Sequence, residues 1–162
     1  MEALIGQEYD QKASHPITLS DIRRWALAVY WPAEPPPMFL DGSHDSTRRD
    51  GPFAPEDFNP FAWTVAEGVA GFGDAHDTDS RFEGKLGAKG PGLKRSVNGG
   101  LDVNYTGVKM RSGDVIRSVS RIVEYRERQG RLGQMLFTTI ETTWTNQLDE
   151  VVKTQKMTVI RY

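Results

Sequence analysis

A short, almost entirely apolar segment is the feature that most restricts how this chain can fold. Asn59 is a favourable N-cap, and Pro60 suits the first position of a helix, where its missing N–H is of no consequence. Most of the side chains from there to Ala66 are apolar on every side of the helix, and Gly68 is a suitable stop. We therefore predict a buried helix at 60–67, which needs a layer of other elements to cover it.

The last third of the chain is predicted to supply that layer as long β-strands. Apolar and polar residues alternate in several runs, and short turn sequences separate them, at 101–105, 115–125, 136–144 and 151–160. The short connections predict an antiparallel meander of about four strands. We expect Val119, Val123 and Tyr125 to share one face of their strand, and Lys153 and Lys156 to contact solvent.

A second helix is predicted near the N-terminus, which makes the fold class α+β. Thr18 and Asp21 resemble a capping box, and the apolar residues that follow have the i, i+3, i+4, i+7 spacing of an amphipathic helix. The helix should end near Tyr30, because the proline-rich segment 31–37 cannot continue it. We expect segment 1–16 to be irregular and 71–100 to be a long loop region.

Composition excludes several classes of function. A length of 162 residues favours one domain, 1–162, and a net charge of −2 lacks the basic excess of a nucleic-acid-binding protein. The chain has no cysteine, so it has neither disulfides nor thiolate ligands, and no spacing of other residues matches a metal site. Residues 1–6 do not have the basic region and long apolar run expected of a signal peptide, and no window of the sequence approaches the roughly 18 apolar residues of a membrane span. We expect a soluble, cytoplasmic protein without a metal, a nucleic-acid partner or a membrane partner.

Three stretches together resemble the MaoC-like dehydratases, and more narrowly the N-terminal MaoC-like domain and the non-catalytic-type subunits of (3R)-hydroxyacyl-acyl carrier protein dehydratases. These stretches are Ile22–Val29, Gly51–Pro55 and Met110–Ile116, and the likeness extends from Ile17 to Tyr162. The resemblance implies the hotdog fold, an antiparallel sheet wrapped around one central helix, here the helix at 60–67. It also implies pairing as a homodimer, or as a heterodimer with a second MaoC-like chain.

The activity implied by this resemblance is the reversible hydration of a 2-enoyl thioester on CoA or acyl carrier protein, with no further cofactor. The family's Asp and His come from an Asp-x-Asn-Pro-x-His motif just after the first helix, but Tyr30–Pro37 contains neither residue. Asp57–Ala62 spells most of the motif, with Ala62 in place of the histidine. Three interpretations stay open. Asn59 and Asp57 stabilise a helix start, or they line the thioester end of a pocket, or Asp57 is the only base.

We therefore predict a subunit that contributes substrate binding in enoyl-thioester hydration or hydroxyacyl-thioester dehydration, while a partner chain supplies the Asp and His. The predicted acyl-thioester-binding residues cluster around the start of the apolar helix: Phe53, Asp57, Phe58, Asn59, Phe61 and Trp63. A non-catalytic acyl-thioester-binding or structural hotdog protein, and a hotdog thioesterase that uses Asp57, are the alternatives.

A cluster of basic residues in the long loop region has two interpretations. It is either a solubilising surface or a contact for the phosphates of CoA or the acidic surface of an acyl carrier protein. Its members are Lys85, Lys89, Lys94 and Arg95.

Overall fold

A computed structural model describes residues 1–40, 51–62, 82–131 and 133–162. Within these ranges lie one α-helix and five β-strands, joined in places by single turns of 3-10 helix. They are β1 (Glu8–Ala13), α1 (Leu19–Tyr30), β2 (Ser96–Tyr105), β3 (Arg117–Gly130), β4 (Gly133–Thr145) and β5 (Val151–Arg161). The predicted central helix lies outside the described residues from residue 63 onwards. None of the helices in the described part is long and apolar enough to span a lipid bilayer.

The strands form one antiparallel sheet in the order β1-β3-β4-β5-β2. Strands β3, β4 and β5 form the predicted meander, since tight turns connect them. The prediction was wrong for β2, which pairs with β5 rather than β3, because the long connection at 106–116 lets the chain cross the sheet. It was also wrong for segment 1–16, where β1 adds to the free edge of β3, and for residues 96–100, which already belong to β2.

The burial pattern of β4 follows the predicted alternation, with Leu136, Thr138, Ile140 and Trp144 on the covered face. On β3 the covered face carries Ser118, Ser120 and Ile122. A bulge between Ile122 and Glu124 shifts the register, so that Tyr125 lies opposite Thr138 on the covered face. Tyr125 therefore does not share a face with Val119 as predicted.

Helix α1 begins as the sequence predicts. The Thr18 side chain accepts a hydrogen bond from the Asp21 N–H, and the Asp21 carboxylate accepts one from the Thr18 N–H, which completes the capping box. The helix buries Ile22 and Ala26. Ile22 lies in a core with Trp144 and Val152 of the sheet, and Trp25 packs against this core. Tyr30, the last residue of the helix, packs against Phe39 outside that core.

Two of the stretches that carry the family resemblance meet in space. The Ala54 N–H donates to the Met110 carbonyl at 2.8 Å, and the Gly113 N–H donates to the Ile17 carbonyl at the same distance. Gly113 has a φ of 94°, a conformation that suits glycine in this turn. The first bond attaches segment 51–58 to the connection between β2 and β3, and the second attaches the residues that precede α1 to the same connection.

Candidate functional site

A cleft of about 460 Å³ opens beside the C-terminal end of α1. It lies between the helix, the turn that follows the helix, segment 53–57 and the end of β2. Apolar side chains form most of its lining and charged ones gather at one side; the lining residues are Val29, Tyr30, Met38, Phe39, Phe53, Ala54, Pro55, Glu56, Asp57, Tyr105 and Lys109. A mostly apolar concavity with a few polar groups is typical of small-molecule sites.

Aromatic rings form the apolar wall of the cleft. Phe39 packs edge-on against Phe53, with ring centroids 5.6 Å apart, and Tyr30 lies 5.9 Å from Phe39. Phe53 is held by a single β-bridge to Arg111, whose guanidinium donates to the Gly51 carbonyl at 2.9 Å. The wall is therefore anchored to the Arg111–Asp114 turn by contacts within the chain itself.

The polar side of the cleft holds two carboxylates, a lysine and a phenol. Lys109 forms an ion pair with Glu56 at 2.9 Å. Burial raises the pKa of the Tyr105 phenol, and the nearby carboxylates of Asp57 and Glu56 raise it further. Tyr105 is therefore protonated at neutral pH and can donate a hydrogen bond into the cleft.

Lys153 lies behind this polar side and is buried, which contradicts the prediction that it contacts solvent. Its side chain is on the covered face of the sheet, opposite Tyr105 on β2 and Trp144 on β4, and the residue is only 4% exposed. The ammonium group donates to the Phe58 carbonyl at 3.3 Å and lies 3.9 Å from the centroid of the Trp144 ring. Burial lowers the pKa of Lys153 to about 8, although Asp57 acts to raise it.

Of the predicted binding residues, Phe53 and Asp57 line the cleft. Phe58 is fully buried, with its ring 5.5 Å from that of Trp25. Phe58 therefore belongs to the hydrophobic core and forms no part of the cleft lining.

The other predicted binding residues lie at the start of the apolar segment. Phe61 packs edge-on against Trp144 at 5.0 Å, and the Asn59 side chain accepts a hydrogen bond from the Phe61 N–H at 3.1 Å. Asn59 thus accepts the hydrogen bond expected of a cap at the turn that enters the segment, while the helix it was predicted to cap lies outside the described residues from residue 63 onwards. Trp63 lies outside the described residues.

The basic cluster does not line the cleft in the described part of the chain. All four of its members are exposed, and Lys85 forms an ion pair with Asp10 of β1 at 2.7 Å. That pair connects the loop to the edge of the sheet.

Phe39, Tyr105 and Lys109 line the cleft although the sequence did not single them out. Phe39 follows the proline-rich segment, where no periodicity marks a side chain as facing inwards. Tyr105 ends the alternating run 101–105, and it is the only one of the three residues for which the local sequence indicates which way the side chain faces. The cleft also contains no histidine among its described lining residues.

The structure resembles several solved structures over nearly its whole length. It is similar to the ChsH1-ChsH2 complex from Mycobacterium tuberculosis, with a TM-score of 0.62, 13% identity, and coverage of 96% of this chain and 84% of the other. It is similar to the R-hydratase PhaJ1 from Pseudomonas aeruginosa, with a TM-score of 0.56, 15% identity, and coverage of 97% and 81%. These likenesses define a hotdog fold, as predicted.

A further match is the C-terminally truncated HadBC (3R-hydroxyacyl-ACP dehydratase) complex from Mycobacterium tuberculosis, with a TM-score of 0.56, 16% identity, and coverage of 96% and 99%. The sequence pattern described as FAS1-like, dehydratase domain region, matches residues 3–155. The chain therefore belongs to this family of MaoC-like hotdog proteins. No curated protein sequence matches it.

Proposed function

We propose that this chain is a substrate-binding subunit of an enoyl-thioester hydratase or (3R)-hydroxyacyl-thioester dehydratase. The observation that carries the proposal is the position and content of the cleft. It opens directly after α1, where the family resemblance places the catalytic motif, and its described lining offers an apolar wall and two carboxylates but no histidine. A partner MaoC-like chain then supplies the Asp and His that activate water and move its proton.

The lining residues suit the two ends of an acyl thioester. The wall of Phe39 and Phe53 can bury the apolar acyl chain, which is favourable in proportion to the area removed from water. Tyr105 can donate a hydrogen bond to a thioester carbonyl, whose oxygen gains negative charge in both reaction directions. Hydration adds the water hydroxyl to C3 and a proton to C2, and dehydration reverses both steps, so one acid–base pair serves both.

Strand β2 provides a surface for the partner chain. It is the last strand of the described sheet, so the backbone groups on its outer edge are available for pairing with another strand. Leu101 on this strand is 54% exposed. The ChsH1-ChsH2 and HadBC structures are themselves complexes. We propose that a second MaoC-like chain, identical or different, extends the sheet at β2.

Leu101→Lys is expected to raise the Kd of this assembly about tenfold or more, because it places a charge in the proposed interface at β2. The measurement is the molar mass in solution as a function of concentration, alone and after mixing with a candidate partner chain. Leu148→Lys is the control, since Leu148 is also an exposed leucine, 71% accessible, but lies at the turn before β5 and not on β2. An unchanged dimer in Leu101→Lys, with Leu148→Lys also unchanged, would place the interface elsewhere.

Turnover tests the proposed function directly. We expect the purified chain to bind decanoyl-CoA, a saturated and unreactive probe, but to hydrate neither crotonyl-CoA nor trans-2-decenoyl-CoA alone. Hydration should appear only with a partner chain that contains the Asp-x-Asn-Pro-x-His motif. Hydration by the chain alone that is lost in Asp57→Ala would instead make it a self-sufficient enzyme.

Phe53→Ser is expected to raise the Kd for decanoyl-CoA on the order of 10- to 100-fold, because the apolar wall loses a large ring. Titration calorimetry measures this change. Phe137→Ser is the control, since Phe137 lies on β4 away from the cleft and packs under Arg126. Equal affinities for the wild type and Phe53→Ser would show that the acyl chain binds elsewhere.

The Asp57 carboxylate in the cleft supports a second candidate function, a hotdog thioesterase. In that case the chain alone would hydrolyse decanoyl-CoA, and Asp57→Asn would abolish the hydrolysis. Decanoyl-CoA has no double bond to hydrate, so a hydratase subunit binds it without changing it, whereas a thioesterase hydrolyses it. The fate of decanoyl-CoA in the binding experiment therefore separates the two functions.

A further inference from the structure

Two buried cations lie on the covered face of β5, and they are satisfied in different ways. Arg161, near the end of the strand, is held by the Glu83 carboxylate through two hydrogen bonds of 2.6 and 2.8 Å. Lys153, near its start, makes its hydrogen bond to the backbone carbonyl of Phe58. Burial of a charge without a close ion pair costs free energy, and an apolar side chain of similar length would avoid that cost. The presence of the charge therefore points to a function.

The atoms that Lys153 reaches belong to the turn that forms one wall of the cleft. Phe58 follows Asp57 directly, and the Phe58 N–H closes the turn by donating to the Pro55 carbonyl at 3.0 Å. Pro55 and Asp57 both line the cleft. The Lys153 ammonium thus bonds to the same turn whose residues Pro55 and Asp57 line the cleft.

The surroundings of Lys153 show which group its positive charge attracts, and that group belongs to the turn. The ammonium lies 5.7 Å from the centroid of the Tyr105 ring on β2, and Asp57 of the turn is the carboxylate that acts to raise the pKa of Lys153. Tyr105 is neutral at physiological pH, and Trp144 from β4 presents the face of its ring. Asp57 is therefore the charged group among the described residues that the ammonium attracts.

We propose that Lys153 is a positioning residue for the cleft, which holds the Pro55–Asn59 turn in its ligand-binding position through the Phe58 carbonyl and the Asp57 carboxylate. The inference rests on the proposed function for the identity of the ligand, an acyl thioester. The holding of the turn itself does not depend on that ligand.

The test uses Lys153→Met, which keeps the length of the side chain and removes its charge. Lys156→Met is the matched control, because Lys156 lies on the same strand with an exposed side chain. In Lys153→Met we expect the Phe58 amide to exchange with solvent deuterium about tenfold faster than in the wild type, because the turn has lost its hold. Amides in the centres of β3 and β4 should exchange no faster.

The binding of decanoyl-CoA gives the second readout. The wild-type Kd should rise about tenfold between about pH 7 and about pH 9.5, as Lys153 loses its proton. In Lys153→Met the Kd should be about tenfold higher at the lower pH and should not change with pH, whereas Lys156→Met should follow the wild type. A residue that only filled space would not produce this pH dependence.

Unchanged exchange of the Phe58 amide in folded Lys153→Met overturns the proposal, whatever the binding result. If decanoyl-CoA does not bind to the wild type, the proposed function fails, and the exchange result alone decides the role of Lys153. If Lys153→Met does not fold, the pH dependence of Phe58 amide exchange in the wild type tests the proposal instead. Exchange at Phe58, corrected for the intrinsic effect of pH, must then accelerate above about pH 8.

Discussion

Arg161→Met is expected to lower the free energy of unfolding by about 3–5 kcal/mol, the largest effect of any single substitution proposed for this chain. Arg161 and Glu83 are both fully buried, and the guanidinium donates two hydrogen bonds to the carboxylate and a third to Thr138 at 2.8 Å. Removing the arginine leaves the Glu83 carboxylate without its cation in a medium that solvates charge poorly. Denaturation by urea at neutral pH measures the loss.

The same pair predicts the response to acid. Burial alone would raise the pKa of Glu83, but the hydrogen bonds from Arg161 and Tyr125 outweigh it and lower the pKa below its ordinary value. Stability from Glu83 is thus fully present above that ordinary value and is lost as the pH falls below it. In Arg161→Met this acid-dependent part of the stability should largely disappear.

Two further variants separate the buried pair from a general effect of charge. Arg121→Met breaks an exposed ion pair with Glu141, and should cost less than about 1 kcal/mol. The double variant Glu83→Leu/Arg161→Met should be more stable than Arg161→Met alone, because it removes the isolated charge. A loss below 1 kcal/mol in Arg161→Met would show that the pair is not buried as described.

Lys153→Met is expected to act in the opposite direction and to stabilise the protein at neutral pH by about 1–3 kcal/mol. Burial lowers the pKa of this lysine from 10.5 to about 8. The folded state therefore holds the proton less tightly than the unfolded state does, and the buried ammonium is destabilising at pH values below about 8. As the pH rises from about 8 to about 10.5, only the unfolded state still holds the proton, so wild-type stability increases.

The measurement is the difference in unfolding free energy between the wild type and Lys153→Met at several pH values. The difference should be greatest at neutral pH and should shrink through the window above about pH 8, since the wild type then loses its buried charge. Lys156→Met should differ from the wild type by less than about 0.5 kcal/mol throughout. If Lys153→Met is less stable than the wild type at neutral pH, the buried ammonium stabilises the fold, and the prediction that it lowers the free energy of unfolding is wrong.

Elements whose determinants are local were predictable from the sequence. Helix α1 starts and ends at the expected residues, because its capping box and its proline-rich stop lie within a few residues of its ends. The covered face of β4 follows from simple alternation. The turn at Arg111–Asp114 is closed by a hydrogen bond from the Arg111 N–H to the Asp114 side chain, three residues away.

Elements whose determinants lie far along the chain were not predictable in this way. Strand β1 has little alternation of its own and forms because the edge of β3 is available. The position of β2 depends on the path of a long connection. The bulge between Ile122 and Glu124 places Tyr125 on the covered face of the sheet, and no residue in the sequence indicates that bulge.

In the candidate site too, features set by neighbouring residues were predictable and features set by distant segments were not. Asn59 as a cap was predictable, since its bond joins residues two apart. The cleft was only partly predictable, because Phe39, Phe53 and Tyr105 come from three separate segments. Phe58 and Phe53 look alike in the sequence, yet one lies in the core and the other in the cleft wall.

The sequence by itself determined the local elements, the family and the absence of the family's Asp and His from the segment after α1. Only the tertiary structure decided which lysine of β5 is buried. Lys153 and Lys156 are the same residue type three positions apart, but one lies beneath the Trp144 ring and the other is exposed. The hydrogen bond of Lys153 joins residues 95 positions apart. The free energy of a charge depends on the medium around it, and that medium is assembled only when distant segments meet.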